Sequence, residues 1–343
     1  MGPALRAACA RLPSMRWLIV LPSDGAEHMG MDFRAELEAM GHAVSTFAYR
    51  RRNPLYKNKG TKAAYQLWIL RRLERACVAW RPDCVLVIKG GPITPGLIRR
   101  VKARVDTLFV NFFPDNPLLM IPFECIEAYD LFFTKERFAL RQLEQVGLRN
   151  LYYLPMYCVP RFHHPVEPTP EEARALEGVV AFVGSRYLYR ERLFQELASY
   201  PLRIWGPGWD EVAPALRALV AGGAVWGRDK LAIYCSARLS LNLHHPLNDI
   251  VGVNTRTFEL AAASACQVVD LKDDLPALFK PGEEVVAYRD LADLRRQLDY
   301  YLAHPEEAQA IGANAHRRAM AEHTLRHRIA EMLLAIQERF GRL

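Results

Sequence analysis

Short apolar runs rich in β-branched residues alternate with longer amphipathic segments along most of the chain. In the first half this pattern predicts strands at 17–21, 43–48, 84–88, 107–111, 131–134 and 151–154, and helices that include 29–40 and 61–80. Such alternation is typical of parallel strands joined by crossover helices. The sequence therefore predicts an α/β fold.

Three prolines interrupt this alternation within residues 155–165, where regular structure cannot continue. A second α/β series follows, with strands predicted at 179–183, 202–205, 238–243 and 267–269, and helices at 191–198, 255–263, 290–302 and 305–340. A chain of 343 residues fits two domains. We predict two Rossmann-like, doubly wound domains facing each other across a cleft, covering 1–158 and 159–323.

Composition excludes several classes of protein. Apolar runs such as 17–21 are far shorter than the ~20 residues of a membrane-spanning helix, and no cleavage site for a signal peptide follows. The seven cysteines are scattered and form no C-x-x-C pair, as expected of reduced packing residues in a cytoplasmic protein. The sequence contains no P-loop, no G-x-G-x-x-G and no G-x-S-x-G motif, which argues against ATP hydrolysis, dinucleotide oxidoreduction and a serine nucleophile elbow.

Positive charge is concentrated in one stretch. The formal net charge is +7, yet residues 50–104 contain 15 Lys or Arg against only Glu74 and Asp83, so the rest of the chain is net acidic. This stretch predicts an anionic partner: a phosphorylated acceptor or a lipid headgroup surface, with peripheral membrane contact through the helix at 61–80. Nucleic acid is not expected. The alternative is a solvated, arginine-rich face.

Ligands of open parallel sheets bind beyond the carboxyl ends of the strands, so the segments after each predicted strand are the first candidates. Asp24, Gly25 and His28 follow the first strand in a loop that opens a helix and could face an acceptor or a phosphate. Lys89 follows the third strand and precedes two glycines, which permit close approach by a ligand. A tight turn with a surface lysine is the alternative.

After the fourth strand, prolines on both sides hold Asp115 in a stiff turn. We therefore predict that Asp115 is a catalytic carboxylate in the cleft. The alternative is helix capping by Asp115 or Asn116.

Gly184 opens the segment after the first strand of the second domain, and Arg186 and Arg190 follow it. A glycine turn at a helix N-terminus with several guanidinium groups suits a diphosphate, because arginine forms paired hydrogen bonds to its oxygens. The alternative is a set of surface arginines paired with Glu191 and Glu196.

Asn254, Arg256 and Glu259 begin a helix that is otherwise small and apolar, with Asn254 or Thr255 as its cap. An ionised carboxylate is rarely buried without a partner, and a ribose diol would supply two hydroxyl donors to Glu259. Arg256 lies one turn away and is the alternative, structural partner.

His244 and His245 are adjacent in the segment before this helix, but no third metal ligand lies at suitable spacing. Packing or a hydrogen bond to a sugar is therefore favoured over metal binding. His245 is included among the catalytic candidates.

Together these motifs resemble group-1 glycosyltransferases of the GT-B fold and, within them, the CgeB-type spore-maturation proteins. The resemblance covers nearly the whole chain. It rests on residues 25–28 (Gly-Ala-Glu-His), 41–44 (Gly-His-Ala-Val), 114–117 (Pro-Asp-Asn-Pro), 129–134 (Tyr-Asp-Leu-Phe-Phe-Thr) with Gly147, 182–184 (Phe-Val-Gly), 254–259 (Asn-x-Arg-x-Phe-Glu), 323–324 (His-Thr) and 327–328 (His-Arg).

The resemblance implies that Glu259 binds the donor ribose and that Arg186 and Arg190 lie near the donor diphosphate. Asp115 occupies the turn where the group often has a histidine near the transferred sugar. Val251 replaces an earlier glutamate that the wider group carries eight residues before the ribose-binding one. The resemblance also implies a C-terminal helix, 324–343, that crosses back to the first domain, and no bound metal or other cofactor.

The leading hypothesis is therefore a glycosyltransferase that moves a sugar from a nucleotide-diphosphate sugar to an acceptor, with retention of configuration as in the wider group. Two alternatives remain open. One is a nucleotide-sugar epimerase of the same fold, and the other is a non-catalytic nucleotide-binding scaffold, which the replacement by Val251 keeps in view.

Overall fold

The structure is a computed structural model that describes residues 13–23, 29–50 and 60–341. Its strands are β1 (Arg16–Leu21), β2 (Ala43–Ala48), β3 (Cys84–Ile88), β4 (Leu108–Phe113), β5 (Leu131–Thr134), β6 (Leu151–Tyr153), β7 (Val180–Val183), β8 (Leu202–Trp205), β9 (Val220–Gly222), β10 (Leu239–Asn242), β11 (Gln267–Asp270) and β12 (Val286–Tyr288).

The helices follow the alternation that the sequence predicts. They are α1 (Met29–Ala39), α2 (Lys62–Trp80), α3 (Pro95–Lys102), α4 (Phe123–Glu127), α5 (Arg137–Gln145), α6 (Pro170–Leu176), α7 (Leu188–Glu196), α8 (Pro214–Arg217), α9 (Gly227–Ser236), α10 (Thr255–Ala262), α11 (Leu275–Leu278), α12 (Leu291–Ala303), α13 (Pro305–Glu322) and α14 (Leu325–Phe340).

The chain divides into two compact units. The first unit contains residues 1–155, 247–250 and 325–343, and the second contains 156–246 and 251–324. The predicted boundary at 158 lies three residues beyond the change of unit at 155. The short insertion of 247–250 into the first unit has no counterpart in the sequence prediction.

The first unit is built on one parallel sheet of strand order β2-β1-β3-β4-β5-β6. Strands β3, β4 and β5 are buried throughout, because helices cover both faces of a parallel sheet. The chain reverses its direction of winding between β1 and β3, which places the topological switch point at their carboxyl ends.

The C-terminal helix α14 belongs to the first unit, where it packs against α1. Arg326 forms an ion pair with Glu36 at 2.9 Å, and Arg328 donates from Nε to the carbonyl oxygen of Pro155 at 3.1 Å. The first contact joins the end of the chain to α1, and the second joins it to Pro155, where the first segment of this unit ends.

The second unit repeats the design with a parallel sheet of order β12-β11-β10-β7-β8-β9. Its switch point lies between β7 and β10. The fold class predicted from the sequence, α/β with two Rossmann-like parallel sheets, is confirmed.

Three details differ from the sequence prediction. The edge strands β9 and β12, of three residues each, are absent from it, whereas the equally short edge strand β6 is predicted at 151–154. The single helical stretch predicted at 305–340 is wrong, because it is two helices separated at His323 and Thr324. There the backbone pairs with Cys158, whose N–H donates to the carbonyl oxygen of His323 at 2.9 Å.

Within the described residues, every helix is too short or too polar to traverse a lipid bilayer. The cysteines of this part of the chain are all free thiols. Burial raises the pKa of Cys77 to about 12, as expected of a packing residue rather than a reactive one.

Candidate functional site

At the carboxyl edge of the first sheet, Lys89 and Asp115 form an ion pair of 2.5 Å between Nζ and Oδ2. Lys89 follows β3 with a left-handed backbone (φ 62°), which an L-residue rarely adopts, and Gly90 continues it (φ 85°). A Cβ at residue 90 would lie 2.7 Å from the hydroxyl of Tyr129, so this turn requires glycine. The structure thus brings together two residues that the sequence proposed separately.

Asn116, rather than Asp115, caps the short turn of 3-10 helix that follows β4, since its Oδ1 accepts from the N–H of Leu118 at 3.2 Å. Its own N–H donates to Oδ1 of Asn248 at 2.8 Å, and its Nδ2 donates to the carbonyl oxygen of Leu247 at 3.0 Å. Asn116 therefore provides the cap, and the Asp115 carboxylate is paired with Lys89 instead.

The segment 247–250 is fixed in the first unit by charged groups at the end of β5. Lys135 and Asp249 form an ion pair in which both side chains are almost fully buried, at 2% and 4% exposure. Glu136 accepts from the N–H of Ile250 at 2.9 Å. The sequence analysis missed these residues, because nothing in their spacing links positions more than 110 residues apart.

Three other predicted residues of the first half, Asp24, Gly25 and His28, lie outside the described residues. Their proposed place near an acceptor stays a prediction.

At the carboxyl edge of the second sheet, the backbone after β7 lies against the backbone after β8. A Cβ on Gly206 would lie 2.0 Å from the carbonyl oxygen of Gly184, and a Cβ on Gly184 would lie 2.8 Å from a guanidinium nitrogen of Arg256. Trp209 donates from Nε1 to the Gly184 carbonyl oxygen at 2.8 Å. Any larger residue at position 184 would displace Arg256, so this position requires glycine.

Arg190 is buried at this edge and anchored by two carbonyl oxygens. Its Nη1 donates to Ser185 at 2.8 Å and its Nη2 to Leu243 at 3.0 Å, while Nε has no hydrogen-bond partner among the described residues. Burial, and then the charge of Arg256, lower the pKa of Arg190. The protein therefore holds this cation in a place that disfavours its charge.

Arg256 shares the same aromatic platform, since its guanidinium carbon lies 5.5 Å from the centre of the Phe182 ring and that of Arg190 lies at 5.2 Å. In the described part of the chain, neither guanidinium forms an ion pair with a carboxylate. The nearest carboxylate that the charge of Arg256 reaches is Glu259, which is already paired with Lys230. Two neighbouring cations outside any ion pair are an arrangement that an anion would stabilise.

Arg186 has a different environment. Its Nη2 lies 2.7 Å from Oε2 of Glu191, and its Nε donates to the same oxygen at 2.8 Å. The structural alternative raised for this arginine is thus present, so its charge is already compensated.

Glu259 is paired, but with residues that the sequence analysis did not name. Its Oε2 accepts from Nζ of Lys230 at 3.0 Å, and Nε2 of His163 lies 3.7 Å from Oε1. Burial opposes ionisation, but Lys230, His163 and Arg256 outweigh it and hold the pKa of Glu259 below its ordinary value. The expected structural pair with Arg256 is replaced by Lys230, and Arg256 acts only through its charge.

Asn254 is the cap of α10, as the sequence predicts. Its Oδ1 accepts from the N–H of Thr257 at 3.1 Å, and its Nδ2 donates to Asn242 at 2.9 Å. Asn242 in turn donates to Thr257 and Gln267, which forms a closed polar network beneath the helix start. The amide of Asn254 is therefore occupied in positioning α10.

The two adjacent histidines separate into different environments. His244 is buried and its Nδ1 lies 2.7 Å from Asp270, whose pKa is about 2, because hydrogen bonds from His244 outweigh the effect of burial. His245 packs edge-on against Tyr187 and Tyr189, with ring centres at 5.2 and 5.9 Å. The part of the chain that the structure describes contains no group of three His, Cys, Asp or Glu residues arranged to hold a metal ion.

Residues 186–334 match the family described as Glycosyl transferase-like. The chain is 24% identical to spore protein CgeB of Bacillus subtilis over 263 residues, which cover 72% of this chain and 80% of CgeB.

Solved structures share the whole architecture. Sucrose-phosphate synthase of Thermosynechococcus elongatus superposes with a TM-score of 0.70 at 12% identity, covering 95% of this chain and 99% of that chain. HepE of Anabaena, solved in complex with UDP, gives 0.63 at 12% identity and covers 94% of this chain and 100% of that chain. Residues 186–334 thus match a glycosyltransferase-like family, the chain is similar to CgeB over most of its length, and its fold is that of GT-B glycosyltransferases.

Proposed function

We propose that this protein transfers a sugar from a nucleotide-diphosphate sugar to an acceptor, and that the donor binds at the carboxyl edge of the second sheet. The observation that carries the proposal is the pair Arg190 and Arg256 beside Gly184, neither of which forms an ion pair with a carboxylate in the described chain. A diphosphate supplies the negative charge that would pair with these two cations. The N–H groups of arginine form paired hydrogen bonds to phosphate oxygens.

The remaining parts of the edge fit the other parts of such a donor. The helix α7 begins at Leu188 without a side-chain cap, and the positive end of its dipole favours phosphate oxygens. Glu259, kept ionised by its cationic neighbours, supplies acceptors for the ribose hydroxyls. HepE was solved with UDP and with UDP-glucose, which supports a uridine nucleotide as the first donor to test.

We further propose that the departing diphosphate is stabilised by these guanidinium groups and helix ends, with no bound metal required. Arg186 would contribute to diphosphate binding only if it released Glu191 and paired with the ligand instead. His245, beside Tyr187, would contact the sugar. Retention of configuration is carried over from the resemblance to the wider group.

In the first unit, we propose that Lys89 and Asp115 serve the acceptor, with Asp115 acting at the reacting hydroxyl. The pair is only partly exposed, at 38% and 22%, and the lysine holds the carboxylate in place after β4. Asp115→Asn is expected to lower the transfer rate by roughly 10²-fold or more, the usual range for a lost acid or base. UDP affinity should not change, and a variant with full transfer activity would remove Asp115 from the mechanism.

We also propose that the outer face of α2 meets anionic acceptors or an anionic membrane surface. Leu67 and Trp68 are 62% and 46% exposed, an unusual pair of large apolar side chains on one helix. Arg71 and Arg75 are exposed one and two turns further along. An exposed tryptophan among arginines is a composition that suits a lipid interface.

The test of donor binding is calorimetric titration with UDP, GDP and dTDP, followed by a thermal-shift panel of their sugars. A ligand at 100 times its dissociation constant stabilises the folded protein by about 2.7 kcal/mol. Product analysis with the binding donor then distinguishes transfer from epimerisation, which needs no acceptor. If no nucleotide bound, the proposal would be wrong.

A scaffold that binds nucleotide without transfer is the second candidate, and Val251 favours it. This valine is buried, and its carbonyl oxygen accepts from the N–H of Asp274 at 3.0 Å. No carboxylate occupies this position. Nucleotide binding without hydrolysis or transfer for any donor would select this candidate.

A further inference from the structure

A cavity of about 490 Å³ lies at the amino edge of the second sheet, on the opposite side from the proposed donor site. Gly178, Arg238 and Cys266 line it, and they precede β7, β10 and β11. The four-residue strands separate the two edges by roughly 13 Å. The volume is in the range of sites for small molecules, about 300–1,000 Å³.

The wall of this cavity contains charged side chains that are not paired with residues of opposite charge in the described chain. Arg174, Glu177 and Arg238 line it, and none of them forms an ion pair within the described residues. Nε of Arg238 and Oγ of Ser236 are shielded from solvent and have no hydrogen-bond partner there. Shielded polar groups without partners are uncommon in folded proteins, so a ligand that pairs with them would be bound with a gain in free energy.

The first turn of α13 also lines the cavity, through Pro305, Ala308 and Gln309. His304, which precedes this helix, gives no side-chain cap. The helix therefore directs its uncapped, positive end toward the same space as the two arginines.

Thiol chemistry does not explain the site, although Cys235 and Cys266 are in its wall. Burial raises the pKa of Cys266 to about 12, and burial also raises that of Cys235. Neither sulfur is a thiolate at neutral pH, so the cavity's character comes from its guanidinium groups.

We infer that this cavity binds a small phosphorylated polyol, with the phosphate on Arg174 and Arg238 and a hydroxyl on Glu177. Arginine forks match phosphate oxygens, and a carboxylate accepts from a hydroxyl. This inference does not depend on the proposed transfer reaction, because it uses other residues at the other edge of the sheet.

The test is calorimetric titration of the full chain with glucose 6-phosphate, with inorganic phosphate and glucose as probes of its two halves. Glucose 6-phosphate should bind more tightly than either half. Arg174→Gln and Arg238→Gln should each weaken binding by about tenfold or more, the usual loss for a charge-assisted hydrogen bond. Arg238→Lys, which keeps the charge, should lose less than Arg238→Gln.

Arg256→Gln, at the opposite edge, is the matched control and should leave this binding unchanged. Arg174 is exposed, so its variant should fold normally and keeps the test independent of any damage at Arg238. The inference is wrong if the wild type does not bind glucose 6-phosphate. It is also wrong if only Arg256→Gln weakens binding, since the ligand would then occupy the donor site.

Discussion

The carboxyl edges of the two sheets differ in how their cations are balanced. In the first unit, Lys89 pairs with Asp115 and Lys135 pairs with Asp249. In the second unit, Arg190 and Arg256 share one aromatic platform and have no carboxylate partner in the described chain. The second edge thus keeps two cations outside any ion pair, beside paired charges such as Arg186 with Glu191.

The difference shows which edge is complete without a ligand. The charge of a buried cation is compensated when a carboxylate pairs with it. Two neighbouring cations repel each other, and a bound anion would relieve that repulsion. The ion pairs of the first edge therefore stabilise the fold, whereas the cations of the second edge would be stabilised by a phosphorylated ligand. Variants that add or remove a charge at each edge test this contrast.

The largest effect is expected from breaking the buried pair of the first edge. Asp249→Asn leaves Lys135 buried without a counter-ion, with the carbonyl oxygen of Asn248 as its remaining partner, which should cost about 3–5 kcal/mol of stability. The melting temperature should fall by roughly 6–20 °C, at about 2–4 °C per kcal/mol for a unit of this size. Differential scanning calorimetry measures this.

The control is the double variant Lys135→Met with Asp249→Leu, which removes both charges and should recover most of that loss. If Asp249→Asn melted like the wild type, the pair would not stabilise the first unit.

The opposite result is expected at the second edge. Arg256→Gln removes a cation whose repulsion of Arg190 and attraction to Glu259 oppose each other, so the stability of the ligand-free protein should change little. Two lost charge-assisted bonds of about 1.5–3 kcal/mol each should weaken nucleotide binding by at least roughly 150-fold. Titration with UDP, GDP and dTDP beside ligand-free melting curves measures both quantities.

Arg186→Gln is the matched control, because Glu191 already compensates that arginine. It should weaken nucleotide binding less than Arg256→Gln does. Equal losses in the two variants would contradict the importance that we give to the unpaired charge.

Glu259→Gln tests the ribose assignment. It replaces one acceptor oxygen by a donor facing a hydroxyl, and it should lower nucleotide affinity roughly 10-fold to 150-fold. It should also lower the melting temperature, because Lys230 loses its partner. Unchanged affinity for every nucleotide that binds the wild type would make Glu259 purely structural.

The pH dependence gives the same variant a second test. Since the pKa of Glu259 is lowered by folding, its stabilising contribution is complete above the ordinary pKa of about 4.5 and disappears as pH falls through the lower, folded value. The difference in melting temperature between wild type and Glu259→Gln should therefore shrink below pH 4.5. A difference that grew in acid would reverse the assigned sign.

The smallest effect is expected on the surface of the first unit. Arg71→Gln with Arg75→Gln should weaken sedimentation with anionic vesicles at low salt, by about 1 kcal/mol per arginine, and high salt should abolish the difference. Trp68→Ala should weaken binding at both salt concentrations. Neutral vesicles are the control, and wild-type protein that fails to sediment at low salt would remove the membrane proposal.

By itself, the sequence determined the α/β class and the places where its strands end. These features have a local cause, because hydrophobic period, turn residues and caps such as Asn254 act over a few positions. The motifs also carried the resemblance to GT-B glycosyltransferases, which the comparisons confirmed. The short edge strands β9 and β12 were missed, although β6, which is equally short, was predicted.

Only the tertiary structure decided which charges meet. Glu259 pairs with Lys230, 29 positions away and on another helix, rather than with the nearby Arg256 that the sequence suggested. Asp249 pairs with Lys135, 114 positions away, in the first unit, although the chain on both sides of residues 247–250 belongs to the second unit. Ion pairing depends on distances of a few ångströms between elements that the sheet order brings together, and no local pattern in the sequence encodes those distances.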